Sequence, residues 1–208
     1  MELKGLYVIT DPELTPENTL LKKVSEAISG GASIVQLRDK TKTDQELYEI
    51  ARRLCLLCSE SGVLFIINDR AELAQKVRAH GVHLGKEDLP LAEAREIMPE
   101  AIIGVSCYND LETAREMEKK GADYVAFGSV FPSPTKPDAV TAPLSLLQAA
   151  RRQLKIPICA IGGLTPENSE HAVKAGAHMV AVISALWSAP DIRKQAARFA
   201  RHFRQPDK

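Results

Sequence analysis

The sequence predicts an α/β chain folded as one (β/α)8 barrel, the TIM-barrel architecture, over residues 1–208. Three observations point there. Eight short apolar runs rich in β-formers alternate with eight amphipathic helical patterns. No linker or compositional break divides the 208 residues, a length near the lower size limit of such barrels. An open, doubly wound sheet is the alternative, and the absence of a G-x-G-x-x-G run after the first strand counts against it.

The first strand is expected at 6–9, where Leu6-Tyr7-Val8-Ile9 is too short for a helix and β-rich. The others fall at 34–37, 64–67, 81–84, 102–105, 124–127, 158–161 and 179–183 by the same criterion. Helical periodicity runs through 18–29, 44–61, 71–77, 91–98, 111–120, 144–154, 166–175 and 191–203. Several helices stop at a glycine, namely Gly30, Gly62, Gly121 and Gly176, each expected as a left-handed cap. Cys55 and Cys58 form a C-x-x-C spacing but lie on the apolar face of the second helix with Leu47, Ile50, Ala51 and Leu54. With no second pair, they read as packed thiols rather than a redox or zinc motif.

Composition limits function. Lys+Arg and Asp+Glu both number 27, so no net field favours nucleic acid or an anionic membrane surface. Hydrophobic residues make up 45% and charged residues 26%, ordinary for a globular protein. No apolar run approaches the ~20 residues of a membrane span, and no apolar signal segment follows Met1-Glu2-Leu3-Lys4. The expectation is a cytoplasmic protein that meets small molecules, with a homo-oligomer left open.

Barrels of this kind carry their chemistry where the strands end at one rim. Two neighbouring strands there deliver Asn68-Asp69-Arg70 and His83-Leu84-Gly85-Lys86-Glu87-Asp88. Asp69 and Asp88 on one rim make an oxygen donor pair suited to Mg²⁺, which commonly takes one or two carboxylates plus substrate phosphate oxygens. The competing reading makes each aspartate a helix N-cap. The second strand ends in Gln36-Leu37-Arg38-Asp39-Lys40. Gln36 offers a donor and an acceptor to the edge of a heterocycle, and Arg38 and Lys40 offer charge-assisted bonds to phosphate. Alternatively, the two cations merely pair with Asp39 and Asp44.

Gly162-Gly163 after the seventh strand and Ser184 opening a short helix after the eighth suggest a backbone phosphate cup. A turn alone is the simpler reading of the two glycines. The proline-rich stretch 129–137 carries Ser133, Thr135 and Lys136 and suits either a lid or an inert connection.

Taken together, these stretches resemble the thiamine phosphate synthase (thiamine-phosphate pyrophosphorylase) family. The matching pieces are Tyr7-Val8-Ile9-Thr10-Asp11, Val35-Gln36-Leu37-Arg38-Asp39-Lys40, Ile67-Asn68-Asp69-Arg70, Gly81 to Asp88, Gly104-Val105-Ser106, Thr135-Lys136, Ile161-Gly162-Gly163-Leu164 and Val182-Ile183-Ser184-Ala185. The resemblance implies transfer of a 4-amino-2-methylpyrimidin-5-ylmethyl group from its diphosphate to a thiazole phosphate, with Mg²⁺ as cofactor. It further implies that Gln36 reads the pyrimidine, while Arg38, Lys40, Asn68 and Lys136 hold the diphosphate. By the same resemblance Asp69 and Asp88 ligate Mg²⁺, and Ser106 lies beside the leaving group. Ser133, Thr135, Gly163, Ile183 and Ser184 hold the thiazole phosphate, the last three largely through backbone.

Cys107, Tyr108, Ser133 and Lys86 depart from the commoner residues of that family. A thiazole tautomerase and a non-catalytic phosphate binder are the rival readings. The presence of Asp69, Asp88 and Lys136 disfavours the tautomerase, since an isomerase has no diphosphate to ligate, and a binder would not need the two-carboxylate metal site.

Overall fold

The computed structural model of the chain describes residues 2–132 and 141–203. Its strands are β1 (Gly5–Ile9), β2 (Ala32–Leu37), β3 (Leu64–Asn68), β4 (Gly81–Leu84), β5 (Ile102–Tyr108), β6 (Tyr124–Phe127), β7 (Ile158–Ile161) and β8 (Met179–Val182). They close in sequence order into one barrel, with parallel pairing at every seam. Helices α1 (Glu17–Ser29), α2 (Asp44–Glu60), α3 (Ala71–Val77), α4 (Leu91–Ile97), α5 (Leu111–Lys119), α6 (Leu144–Gln153) and α7 (Ser169–Lys174) connect successive strands. The short α8 (Ser184–Trp187) follows β8, and α9 (Ile192–Ala200) closes the outer ring.

Alternation along the strands builds two cores. Leu6, Val8, Val35, Leu37, Phe65 and Ile67 face the helices and belong to the outer apolar layer. Tyr7, Ile9, Ile34, Leu64, Ile66 and Tyr124 fill the barrel with Cys159 and Met179. Tyr124 fits because its partner across the β5–β6 seam is Gly104. A Cβ at Gly104 would stand 2.0 Å from the Tyr124 ring.

Several boundaries depart from expectation for local reasons. β5 continues to Tyr108, through a register irregularity between Ser106 and Tyr108. α7 starts at Ser169 rather than near Pro166. β8 stops at Val182, and Ile183 turns out of the strand to become the N-cap of α8. Of the four glycines expected in the left-handed region, Gly62, Gly121 and Gly176 are there, but Gly30 is right-handed at φ −84°. The next residue, Gly31, makes that turn at φ +105° instead. Cys55 and Cys58 are buried free thiols, and burial pushes the Cys58 thiol up to about 12.

Candidate functional site

The carboxylate pair forms at the ends of β3 and β4. Asp69 adopts a left-handed backbone at φ +63°, uncommon for a residue with a side chain. Its N–H donates to the His83 carbonyl at 2.8 Å, and the Arg70 N–H turns back to the Asn68 carbonyl at 2.8 Å. That geometry brings the Asp69 carboxyl against the Asp88 carboxyl and within 2.9 Å of Lys40 Nζ from the β2 end. Asp88 is aimed by the Gly85 N–H, which donates to its Oδ2 at 2.7 Å. A Cβ on residue 85 would sit 2.6 Å from that oxygen, so the glycine makes room for the turn.

The helix-cap reading fails for both aspartates. The N-caps of α3 and α4 are Arg70 and Pro90, and neither makes a side-chain cap bond. Asp110 and Asp191 do cap α5 and α9 through their carboxylates.

Burial and the facing Asp88 raise the Asp69 carboxyl above the usual range, against the pull of Lys40. For Asp88, burial also pushes upward. Bonds from Asp69 and the Gly85 N–H, with Lys40 nearby, override it and hold the group low. Two facing carboxylates with one lysine form a hard oxygen site short of positive charge. Among the described residues, no group of three or more His, Cys, Asp or Glu side chains could hold a metal. The donor set here is a pair, which fits Mg²⁺ completed by phosphate oxygens and water.

The β2 end is only partly as expected. Lys40 reaches Asp69, and Asp44 pairs with Arg70 at 2.5 Å instead of with a β2 cation. Arg70 also donates to the Lys42 carbonyl at 2.7 Å, tying the ends of β2 and β3 together. Asp39 folds its own loop by accepting from Thr41 and Lys42. The Arg38 N–H donates to Thr10 Oγ1 at 2.9 Å, and Arg38 lines a cavity of about 260 Å³ between the β1–α1 and β2–α2 loops. Asn68 is half-buried and pairs in register with His83.

Gln36 is 2% exposed and enters a hydrogen-bonded chain that sequence reasoning missed. Its Nε2 donates to Tyr7 Oη at 2.7 Å. Tyr7 Oη meets Tyr124 Oη at 2.9 Å. Tyr124 Oη meets His83 Nδ1 at 2.9 Å, and His83 Nε2 meets Ser106 Oγ at 2.9 Å. Burial raises both phenols and pushes His83 down to about 4, so the imidazole is neutral at pH 7. The available signal was a pair of tyrosines on inward strand positions, since a buried phenol needs a partner.

The second anion candidate lies at the ends of β7 and β8. Gly162 and Gly163 turn at φ +96° and +63°. Asn168 clasps this turn, donating from Nδ2 to the Gly163 carbonyl at 2.9 Å and accepting from the Thr165 N–H at 2.7 Å. Ile183 leads into α8, whose first residue, Ser184, is exposed. No described residue accepts from the N–H of Gly163 or Ser184. Trp187 anchors α8 by donating from Nε1 to the Ile9 carbonyl at 2.6 Å. A Cβ at Gly163 would stand 2.4 Å from the Phe131 carbonyl oxygen and 2.5 Å from that of Pro132. The glycine therefore also makes room for the loop after β6. Ser133, Thr135 and Lys136 lie outside the described residues.

The (β/α)8 barrel thus carries a carboxylate–lysine cluster on one arc of its rim and a glycine turn on another. Residues 6–186 match the family model of thiamine monophosphate synthase. The chain is 48% identical to the thiamine-phosphate synthase of Nitrosococcus oceani, over 97% of this chain and 93% of that one. It is 48% identical to the enzyme of the same name from Thioalkalivibrio sulfidiphilus, over 97% and 96%. The solved thiamine phosphate pyrophosphorylase of Pyrococcus furiosus superposes with TM-score 0.88 at 44% identity, covering 96% of this chain and 95% of that one. The chain belongs to the thiamine monophosphate synthase family and is an enzyme, a transferase.

Proposed function

We propose that this enzyme joins the 4-amino-2-methylpyrimidin-5-ylmethyl group of a pyrimidine diphosphate to a thiazole phosphate, releasing diphosphate. The observation that carries this reading is the meeting of Asp69, Asp88 and Lys40 at one point of the rim. A diphosphate leaving group needs such a cluster, whereas an isomerase acting on a single monophosphate does not. The activity that names its relatives supports the same reading.

In this reading Gln36 holds the edge of the pyrimidine from within the barrel mouth. Lys40, Arg38 and Asn68 hold the diphosphate, joined by Lys136, and Ser106 donates to the departing oxygen. Asp69 and Asp88 hold Mg²⁺, which when bound offsets the charge that builds on the diphosphate. The electron-rich aminopyrimidine carries the positive charge left by bond cleavage, so departure precedes attack. The thiazole nitrogen then attacks, and no enzymic nucleophile is needed. The backbone at Gly163, Ile183 and Ser184, with Ser133 and Thr135, holds the thiazole phosphate and places its ring for attack. Positioning and fixed charge supply the rate. The balanced composition and buried free cysteines suit such a reaction in the cytoplasm.

The test is incubation with both substrates and Mg²⁺, following diphosphate and thiamine phosphate. Equimolar release of the two is expected. Absence of diphosphate release, with thiazole phosphate isomerised instead, would overturn the assignment.

A further inference from the structure

We infer that Gln36, Tyr7, Tyr124, His83 and Ser106 form one proton-ordered chain, in which the carboxamide orientation at Gln36 decides whether the Ser106 hydroxyl points into the site. The inference deepens the proposed function, resting on its placement of Gln36 at the pyrimidine and Ser106 at the leaving group. The chain itself is a property of the ligand-free protein.

The argument is proton counting. Four contacts of 2.7 to 2.9 Å link the five groups. Each contact holds one proton, because two would clash and none would set lone pairs against each other. Each phenol has one proton, and the imidazole, with a hydroxyl on each ring nitrogen and no carboxylate paired to it among the described residues, has one N–H. With Gln36 Nε2 donating to Tyr7, as the structure has it, every later choice follows. Tyr7 donates to Tyr124, Tyr124 donates to His83 Nδ1, and His83 donates from Nε2 to Ser106. The Ser106 proton is then left over and available to an oxyanion in the site.

Only one other complete order exists. If the carboxamide oxygen faced Tyr7, every donor would reverse. His83 would carry its proton on Nδ1, and Ser106 would spend its hydroxyl proton on Nε2, offering only lone pairs to a ligand. The interior positions are dry. Tyr7 is 1% exposed and Tyr124 0%, so water does not supply a missing proton midway. Among the described residues no buried side-chain nitrogen or oxygen lacks a partner. A broken order would leave one, at the desolvation cost of an unpaired buried polar group.

The two ends of the substrate are thereby coupled. A heterocycle edge that selects the observed face of the Gln36 amide also fixes Ser106 as a donor toward the departing diphosphate. A ligand with donor and acceptor interchanged along that edge favours the reversed chain and turns the hydroxyl away. Tyr7, Tyr124 and His83 act here as positioning residues and touch no reacting atom.

The experiment is ¹⁵N NMR of the His83 imidazole at neutral pH in the ligand-free enzyme, with the signal identified by its loss in His83→Asn. Wild type is expected to show the Nε2–H tautomer. Gln36→Glu places a carboxylate where only an acceptor remains, so His83 should switch to Nδ1–H, two tyrosines away. Adding Tyr7→Phe severs the chain. Tyr124 then has only Nδ1 to donate to, and the Nε2–H form should return. An Nδ1–H tautomer in wild type, or no switch in a folded Gln36→Glu variant, would overturn the inference. The wild-type spectrum decides the polarity even if Gln36→Glu does not fold. None of these readings involves turnover, so failure here is distinct from failure of the diphosphate assay.

Discussion

Asp69 concentrates the chemistry and the strain of the rim in one residue. Its left-handed backbone costs of order 1 kcal/mol in an L-residue, and its side chain faces another carboxylate. The surrounding bonds to His83, Lys40 and Asp88 hold it there. Asp69→Ala or Asp88→Ala should reduce turnover by roughly 10²-fold or more, the scale of a lost electrostatic stabiliser, and should shift the Mg²⁺ dependence. Steady-state assays across a Mg²⁺ series check this, and wild-type behaviour in either variant would remove the metal assignment. His83 gives a separate, pH-dependent expectation. Its folded value of about 4 lies below the ordinary 6.5. The unfolded chain therefore binds a proton between those values that the folded chain does not. The stability this group contributes is complete above pH 6.5 and falls as pH drops toward 4, by about 3 kcal/mol over the window. His80 and His178 are lowered by burial as well and act in the same direction. Thermal melts from pH 7 to 4 should fall steeply, and His83→Asn should flatten part of the slope.

At the scale of the element, strand periodicity made much of the site legible. The runs that became β3 and β4 are followed by Asp69 and Asp88, and their common rim followed from the barrel alone. What stayed hidden depended on contacts between strands that no local pattern encodes. Gln36, Tyr7, Tyr124, His83 and Ser106 lie on five different strands, and only the closed register brings their polar atoms together. Asp69 and Asp110 likewise look alike in sequence, each polar residue preceding a helix. Backbone geometry makes one a rim ligand candidate and the other a cap. Gly163 read in the sequence as a phosphate contact or a plain turn, and neither reading foresaw that its missing Cβ also clears the loop after β6. Gly104 shows the same dependence. It reads as a strand glycine in the sequence, but its hydrogen is what admits the Tyr124 ring. Gly104→Ala should destabilise by about 1–3 kcal/mol through overpacking, lowering the melting temperature by roughly 2–4 °C per kcal/mol at this size. It should also displace Tyr124 from His83. A melt within one degree of wild type would show that the ring relaxes freely.

Across the whole molecule, the proposed function assigns its two anions to different arcs of the rim. The arc proposed for the diphosphate is built from side chains that follow β2, β3 and β4, where Lys40, Asp69 and Asp88 meet. The arc proposed for the monophosphate is built from backbone after β7 and β8, where Asn168 fixes the turn and Trp187 pins α8 to β1. No hydrogen bond or ion pair among the described residues joins Lys40, Asp69 or Asp88 to Gly163, Asn168 or Ser184. Damage to the two arcs should therefore combine independently. Lys40→Ala should lower kcat by weakening stabilisation of the leaving group. Gly163→Val should push the Phe131–Pro132 backbone outward and raise KM for the thiazole phosphate, with a smaller effect on the pyrimidine diphosphate. In the double variant the two losses should multiply to within about two-fold, the tolerance expected of sites that share no partner. Steady-state kinetics varying each substrate in all three variants provide the measurement. A double variant much less impaired than the product would show that both changes act on one shared step. A Gly163→Val variant impaired mainly toward the pyrimidine substrate would show that the two phosphates occupy the opposite arcs.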